Sequence, residues 1–361
     1  MQTTSRAALR ADALATVKLA ATYIGSVVGA GFASGQEGLQ FFVSFGQQWR
    51  AAIAISGLLF IGYGVTIMGL AYRVAPSHTG EFLEHVFGRA GGRAFDIILM
   101  TFSLSSLCVM LAGGGALFQQ QLGVRPGIGV FITAAITGLT VLAGAEGVAR
   151  ANVVMVPWMI ISAVIVGVRS RLSIHPAAGL PVLAWGGNVL PTWQVAAVVY
   201  VSYNILLGIG VLASMGRSIP SPRAAIWGGS LGGLCLTILA AIITATMAPY
   251  RDALNGVEVP MLYIAQGLGS SFAIGYALAI WFAMITTATA CAFTLGKRIA
   301  GTGYLRLEPG GAGVLISIGA MGPAMLGFSR LVGTIYPSFG YVGLACMVFL
   351  ALAALRTRKI T

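Results

Sequence analysis

Charge is what this chain has least of. Only 8% of its 361 residues are Asp, Glu, Lys or Arg, where a soluble domain carries about 25%. Its nine acidic residues are scattered. Three histidines (His78, His85 and His175) fall in predicted loops and form no metal motif. Cys108, Cys235, Cys291 and Cys346 sit inside apolar spans, without pairing or ligand spacing, and read as small packing residues. No nucleophile elbow, phosphate-binding glycine loop or zinc signature is present. Enzyme chemistry therefore has no visible catalytic constellation, and no organic cofactor or obligate protein partner is implied.

What is abundant is apolar. Hydrophobic residues make up 57% of the chain, and mean hydropathy is +0.90. This composition predicts an all-α integral membrane protein embedded in a lipid bilayer. Apolar runs of about 20 residues, enough to cross one, fall near 17–45, 50–73, 95–122, 127–145, 149–168, 191–215, 223–248, 271–299, 311–329 and 338–355. Pro323, Arg330 and Pro337 blur the last two. The net charge of +12 comes from basic residues placed singly or in pairs between spans, which favours membrane orientation over nucleic-acid binding. With the N-terminus inside, fifteen of the 21 lysines and arginines lie on inner segments and six on outer ones. The bias predicts a multi-pass protein of the cytoplasmic membrane with both termini cytoplasmic. The first twenty residues, with Arg6, Arg10 and Lys18, do not read as a cleavable signal peptide.

Residues 21–46, ATYIGSVVGAGFASGQEGLQFFVSFG, organise the rest. Five glycines (25, 29, 31, 35 and 38) crowd its centre beside Ser26, Ser34, Gln36 and Glu37. Each Gly costs roughly 1 kcal/mol against Ala in a helix, so the segment predicts a broken span. Such a break must line a cavity or be buried in protein, where freed carbonyls bind cations. Close helix approach is the competing account of the glycines. The sixth span repeats the pattern with Tyr203 and Asn204 beside Gly208 and Gly210. About 180 residues separate Gly29 from Gly208, and the third span from the eighth, as two halves of five spans would require. The expected division is a tail at 1–16, a first repeat at 17–170, an outer loop at 171–190, a second repeat at 191–355 and a tail at 356–361. Residues 79–88 predict a short interfacial helix, and 255–268 a short outer helix begun near Pro260.

The string YIGSVVGAGFASGQE resembles the first-span signature of the YkvI-type membrane transporters, relatives of the amino acid–polyamine–organocation superfamily. More broadly the chain resembles the sodium-coupled leucine-transporter fold, a five-plus-five inverted repeat with broken helices 1 and 6. That resemblance implies a sodium ion held by the carbonyls of Gly25, Val28 and Ala283 and the hydroxyls of Thr286 and Thr287. Back-bonding of the two threonines within their own helix is the plain alternative. Phe32 stands where relatives with a second sodium have Asn, which argues against a second site. The fifth span has no Lys of the kind that replaces sodium in proton-coupled relatives. Ser26, Gly29, Ala30 and Gly31 would meet a substrate from the first span, with backbone N–H groups offered to a carboxylate. Ser105, Ser106 and Cys108 could contribute from the third span, and Tyr203, Asn204 and Gly208 would face it from the sixth, Tyr203 as a gate.

Glu37 is the acidic residue placed deepest. An intramembrane carboxylate is a functional candidate because burying its charge is costly. It could relay protons, meet a substrate amine or bond freed backbone N–H groups. Asp96 and Glu146 read as salt-bridge partners of Arg93 and Arg150. The expected function is sodium-coupled symport of a small amino-acid- or amine-like solute. Proton coupling, and a non-transporting sensor on the same fold, are the alternatives.

Overall fold

The computed structural model describes residues 2–77, 79–143, 145–172, 190–301 and 307–358, with side chains except at 2–11, 145–156, 171–172 and 357–358. The first span is α1 (Gln2–Val27), α2 (Ala30–Ser34) and α3 (Gln36–Phe41). A 3-10 turn then leads into α4 (Trp49–Val74). The second to fifth spans continue as α4, α5 (Thr79–Leu122), α6 (Pro126–Leu142) and α7 (Ala145–Leu172). After them come α8 (Trp193–Ser214), α9 (Pro222–Met247), α10 (Pro260–Gly267), α11 (Ser270–Gly301), α12 (Pro309–Ala324) and α13 (Phe328–Arg358). Among the described residues, six helices are long and apolar enough to cross a membrane. The protein is all-α and multi-pass.

Start signals fall where helices begin. Pro126, Pro222, Pro260 and Pro309 open four of them, using a position where the missing N–H costs nothing. Ser221 caps α9 by accepting from the Ala224 N–H at 3.1 Å. The helix expected at 79–88 is present and joined to the third span across Gly88, whose φ of 73° breaks the rod. The segment expected as an N-terminal tail continues α1, in keeping with its alanines and other strong helix formers. Of the outer loop expected at 171–190, residues 173–189 lie outside what is described, as does the side chain of Glu146. Asp96 pairs with Arg298 across α5 and α11, not with Arg93.

The sixth span departs from expectation. It is one continuous α-helix, α8, with no break at Tyr203–Gly210. The Asn204 amide donates to the Tyr200 carbonyl one turn back, at 2.9 Å, so its polarity is absorbed inside the helix. Gly208 buys close approach: a Cβ there would stand 3.3 Å from Ser26 Oγ of α1. The same device joins α4 to α9, where a Cβ on Gly229 would lie 2.5 Å from the backbone of Gly64 and Val65. Buried hydroxyls complete the frame. Tyr23 donates to the Phe60 carbonyl (3.0 Å), Ser56 to Ala197 (3.2 Å) and Ser202 to Gly340 (2.6 Å). Across the bundle α1 packs on α8, α4 on α9, α5 on α11 and α6 on α12.

Candidate functional site

The centre of the molecule is the double interruption of the first span. The α1 ladder closes with the Val28 N–H on the Ile24 carbonyl at 2.8 Å. Beyond it the carbonyls of the last helical turn, Gly25 among them, lose their helical partners, as at any helix end. Gly29 is extended (φ −115°, ψ −174°) and precedes α2 without a side-chain cap. Gly35 then turns left-handed at φ 81° and starts α3. A side chain at Gly35 would collide with Met247 and Met261, each 2.7 Å from the Cβ position. The buried α10 thus closes over the second break.

Local bonds hold the short α2 in place. Ser34 Oγ donates to the Gly31 carbonyl at 2.7 Å and accepts from the Gln36 N–H at 3.2 Å. From α11, Tyr276 donates to the Ala33 carbonyl at 2.6 Å. Glu37 lies in the first turn of α3, where a helix dipole favours a carboxylate. Its side chain is buried, and Oε2 accepts from the Tyr203 hydroxyl of α8. Its Oε1 fills the space beside Gly31, so a methyl on Gly31 would strike it. Aromatic rings surround the pair. Tyr203 stacks on Tyr336 of α13 with centroids 5.0 Å apart, and Phe41 and Tyr200 stand 5.6 Å from Tyr203. Next to Glu37, both amide atoms of the fully buried Gln36 lack a hydrogen-bond partner among the described residues.

Most residues singled out from the sequence meet here. Ala30 and Gly31 are buried in the first turn of α2. Ser26 is half-buried, donates to the Tyr23 carbonyl at 2.8 Å and touches the buried Gly208. On α11, Thr287 Oγ1 comes 4.0 Å from the Cβ position of Gly29. Thr286 donates to the Ala283 carbonyl at 3.1 Å, the back-bonded arrangement. Val28 and Ala283 are buried, and Gly25 is exposed. Asn204 is buried but turned into its own helix.

Ser105 is half-buried on α5. Its neighbour Ser106 is buried. Tyr276 and Tyr336 escaped the sequence reading. A lone tyrosine inside an apolar run carries no spacing signal. Trp281 of α11 donates to Thr133 of α6 at 3.1 Å. Among the described residues no group of three His, Cys, Asp or Glu side chains is placed to hold a metal ion.

Over 328 residues the chain is 30% identical to the membrane protein YkvI of Bacillus subtilis (strain 168), covering 91% of this chain and 93% of that one. The chain belongs to the YkvI family. A second relative of this family member, YyaD of the same organism, is 26% identical over 330 residues, or 91% and 94% of the two chains. No family model matches. Among solved structures, the manganese transporter of Eremococcus coleocola, in complex with an aromatic bis-isothiourea substituted compound, is similar with TM-score 0.54. Its identity is 15%, over 94% of this chain and 76% of that one. Inward-facing Mhp1 is similar with TM-score 0.56 and 12% identity, over 94% and 75%. At these identities the likeness is one of fold. The YkvI-family chain has the leucine-transporter-like fold that its first span resembles.

Proposed function

We propose that this protein is a secondary transporter moving a small amine-like solute by alternating access, with sodium as the coupling ion. The observation that carries the reading is the buried Glu37, held by Tyr203 at the broken first span and ringed by aromatic side chains. A carboxylate with aromatic faces around it suits a cation, which gains from both charge and ring quadrupoles. An amino-acid carboxylate is less suited, because the N–H groups of α2 that would receive it lie beside the protein's own carboxylate at Gly31. The unpaired Gln36 amide favours a polar solute, since a buried amide without a partner is costly.

Sodium coupling rests on the oxygens at the span junction. The Gly25 and Val28 carbonyls end α1, and Thr287 of α11 approaches Gly29 across the gap. Thr286 Oγ1 and the Ala283 carbonyl already stand 3.1 Å apart. The packing of α1 on α8, α4 on α9, α5 on α11 and α6 on α12 pairs each of the first four spans with the one five later, and supports a ten-span inverted repeat. Proton coupling is the second reading, favoured by the Glu37–Tyr203 hydrogen bond. Proteoliposomes loaded with a panel of amines and amino acids separate these readings. The proposal expects amine uptake driven by an inward sodium gradient. Uptake driven by a proton gradient and indifferent to sodium would transfer the coupling to Glu37. Ligand binding without flux would make the protein a sensor.

A further inference from the structure

A groove of about 690 Å3 opens on the outside of the bundle between α4, α9 and α13, away from Glu37. Its walls are apolar, built from Val65, Leu70, Ala225, Ile226, Ala351 and Leu355. Thr66 turns its hydroxyl to the Gly62 carbonyl at 2.8 Å, and Tyr72 adds a phenol to the lining. One end is different. Arg73 lines it, Arg223 follows Pro222 at the rim, and Arg356 follows Leu355. All three are exposed, and none makes an ion pair among the described residues. Arg217 stands nearby, donating to the Ala75 carbonyl at 3.1 Å. Among the described residues no acidic one lines the groove. Asp12, which faces α9, accepts from Ser221 at 2.9 Å.

We propose that this groove is a binding site for one anionic diacyl phospholipid, its acyl chains along the apolar walls and its phosphate against Arg73 and Arg223. The charge layout decides the class. These arginines mark the end that the basic-residue bias assigns to the cytoplasm, and a basic pocket between spans at that surface recruits anionic headgroups. Guanidinium groups match phosphate oxygens through paired N–H donors, which a zwitterionic headgroup, carrying its own ammonium, satisfies less well. The site is independent of the transport reading.

The test uses full-length protein, delipidated in detergent and offered phosphatidylglycerol or phosphatidylcholine of the same acyl length, with native mass spectrometry and thermal unfolding as readouts. Phosphatidylglycerol should be retained at one per protein, about fivefold or more above phosphatidylcholine, and should raise the Tm. Arg73→Gln should weaken that retention roughly fivefold, the worth of one basic residue near anionic lipid, and Arg73→Lys should keep most of it. Gly69 lines the groove and has open space where a Cβ would go, so Gly69→Phe should enter the groove and expel the lipid while leaving every arginine in place. Should that variant misfold, the Arg73 pair still decides. Equal retention of the two lipids overturns the proposal. So does full retention by folded Gly69→Phe, or a Tm rise reproduced by inorganic phosphate alone.

Discussion

At the residue scale, Glu37 and Thr287 are assigned the separable halves of the proposed mechanism. Glu37→Gln keeps the shape and an acceptor oxygen for Tyr203 but removes the charge. Bonds to a charged group are worth about 1.5–3 kcal/mol, so half-saturation by an amine should rise about tenfold to a hundredfold. Radiolabelled uptake over a concentration series checks this, and unchanged uptake would reduce Glu37 to a structural acceptor. Thr287→Val swaps a candidate ligand oxygen for a methyl at constant shape. Losing it in a closed site should cost more than the ~1 kcal/mol of a neutral hydrogen bond. The sodium concentration for half-maximal uptake should then rise about tenfold, with partial rescue at saturating sodium. The control is Thr289→Val, whose hydroxyl only back-bonds to Ile285 at 2.7 Å and which lies about 200° further around α11. An equal shift in both variants would remove the sodium assignment from Thr287.

At the element scale, glycines with the same look in sequence do two jobs. Gly29 and Gly35 sit where the backbone leaves the helix, whereas Gly208 and Gly210 stay inside α8. The first break was legible because five glycines and a run of polar side chains fall within one span. The sixth span carries half that density, and Asn204 closes on its own helix, a choice that composition does not encode. Six of the expected spans were legible from hydropathy as helices long and apolar enough to cross, since length and apolarity are direct demands of a bilayer. Which helices touch was not, because packing depends on shapes several spans apart. The α4–α9 seam gives a direct test. Gly229→Ala forces a methyl to 2.5 Å from the α4 backbone, which cannot yield as a flexible side chain would. Overpacking of that kind costs about 1–3 kcal/mol, so Tm should fall by several degrees. Gly62→Ala on the same pair of helices meets nothing within 4 Å and should leave Tm level or slightly raised. Matching behaviour of the two would mean that the seam is not packed as described.

At the scale of the whole molecule, the two halves of the first span differ in exposure. From Ala30 to Val43 every residue is buried, whereas α1 presents Leu14, Val17, Lys18, Ala21 and Gly25 along one exposed face. A transporter closed outside and open inside would have this asymmetry, with the inner half of the broken span swung from the core and its outer half sealed. On the proposed transport reading, that exposed face would belong to a cytoplasmic water path and not to lipid. In a background with the four native cysteines replaced, Gly25→Cys fits without clash, since nothing lies within 4 Å of its Cβ position, and the backbone carbonyl proposed as a sodium ligand is retained. A membrane-impermeant maleimide should modify it in inside-out vesicles and spare it in right-side-out ones. Sodium with a transported amine should slow the reaction, because closing the inner half buries the position. Leu39→Cys in the sealed half, where the native side chain is 1% exposed, should stay unreactive from outside until conditions favour the outward state. Gly25→Cys that resists the reagent from both sides would place that face in lipid and remove the inner path. Labelling from the outer side would reverse the orientation drawn from the arginines and lysines.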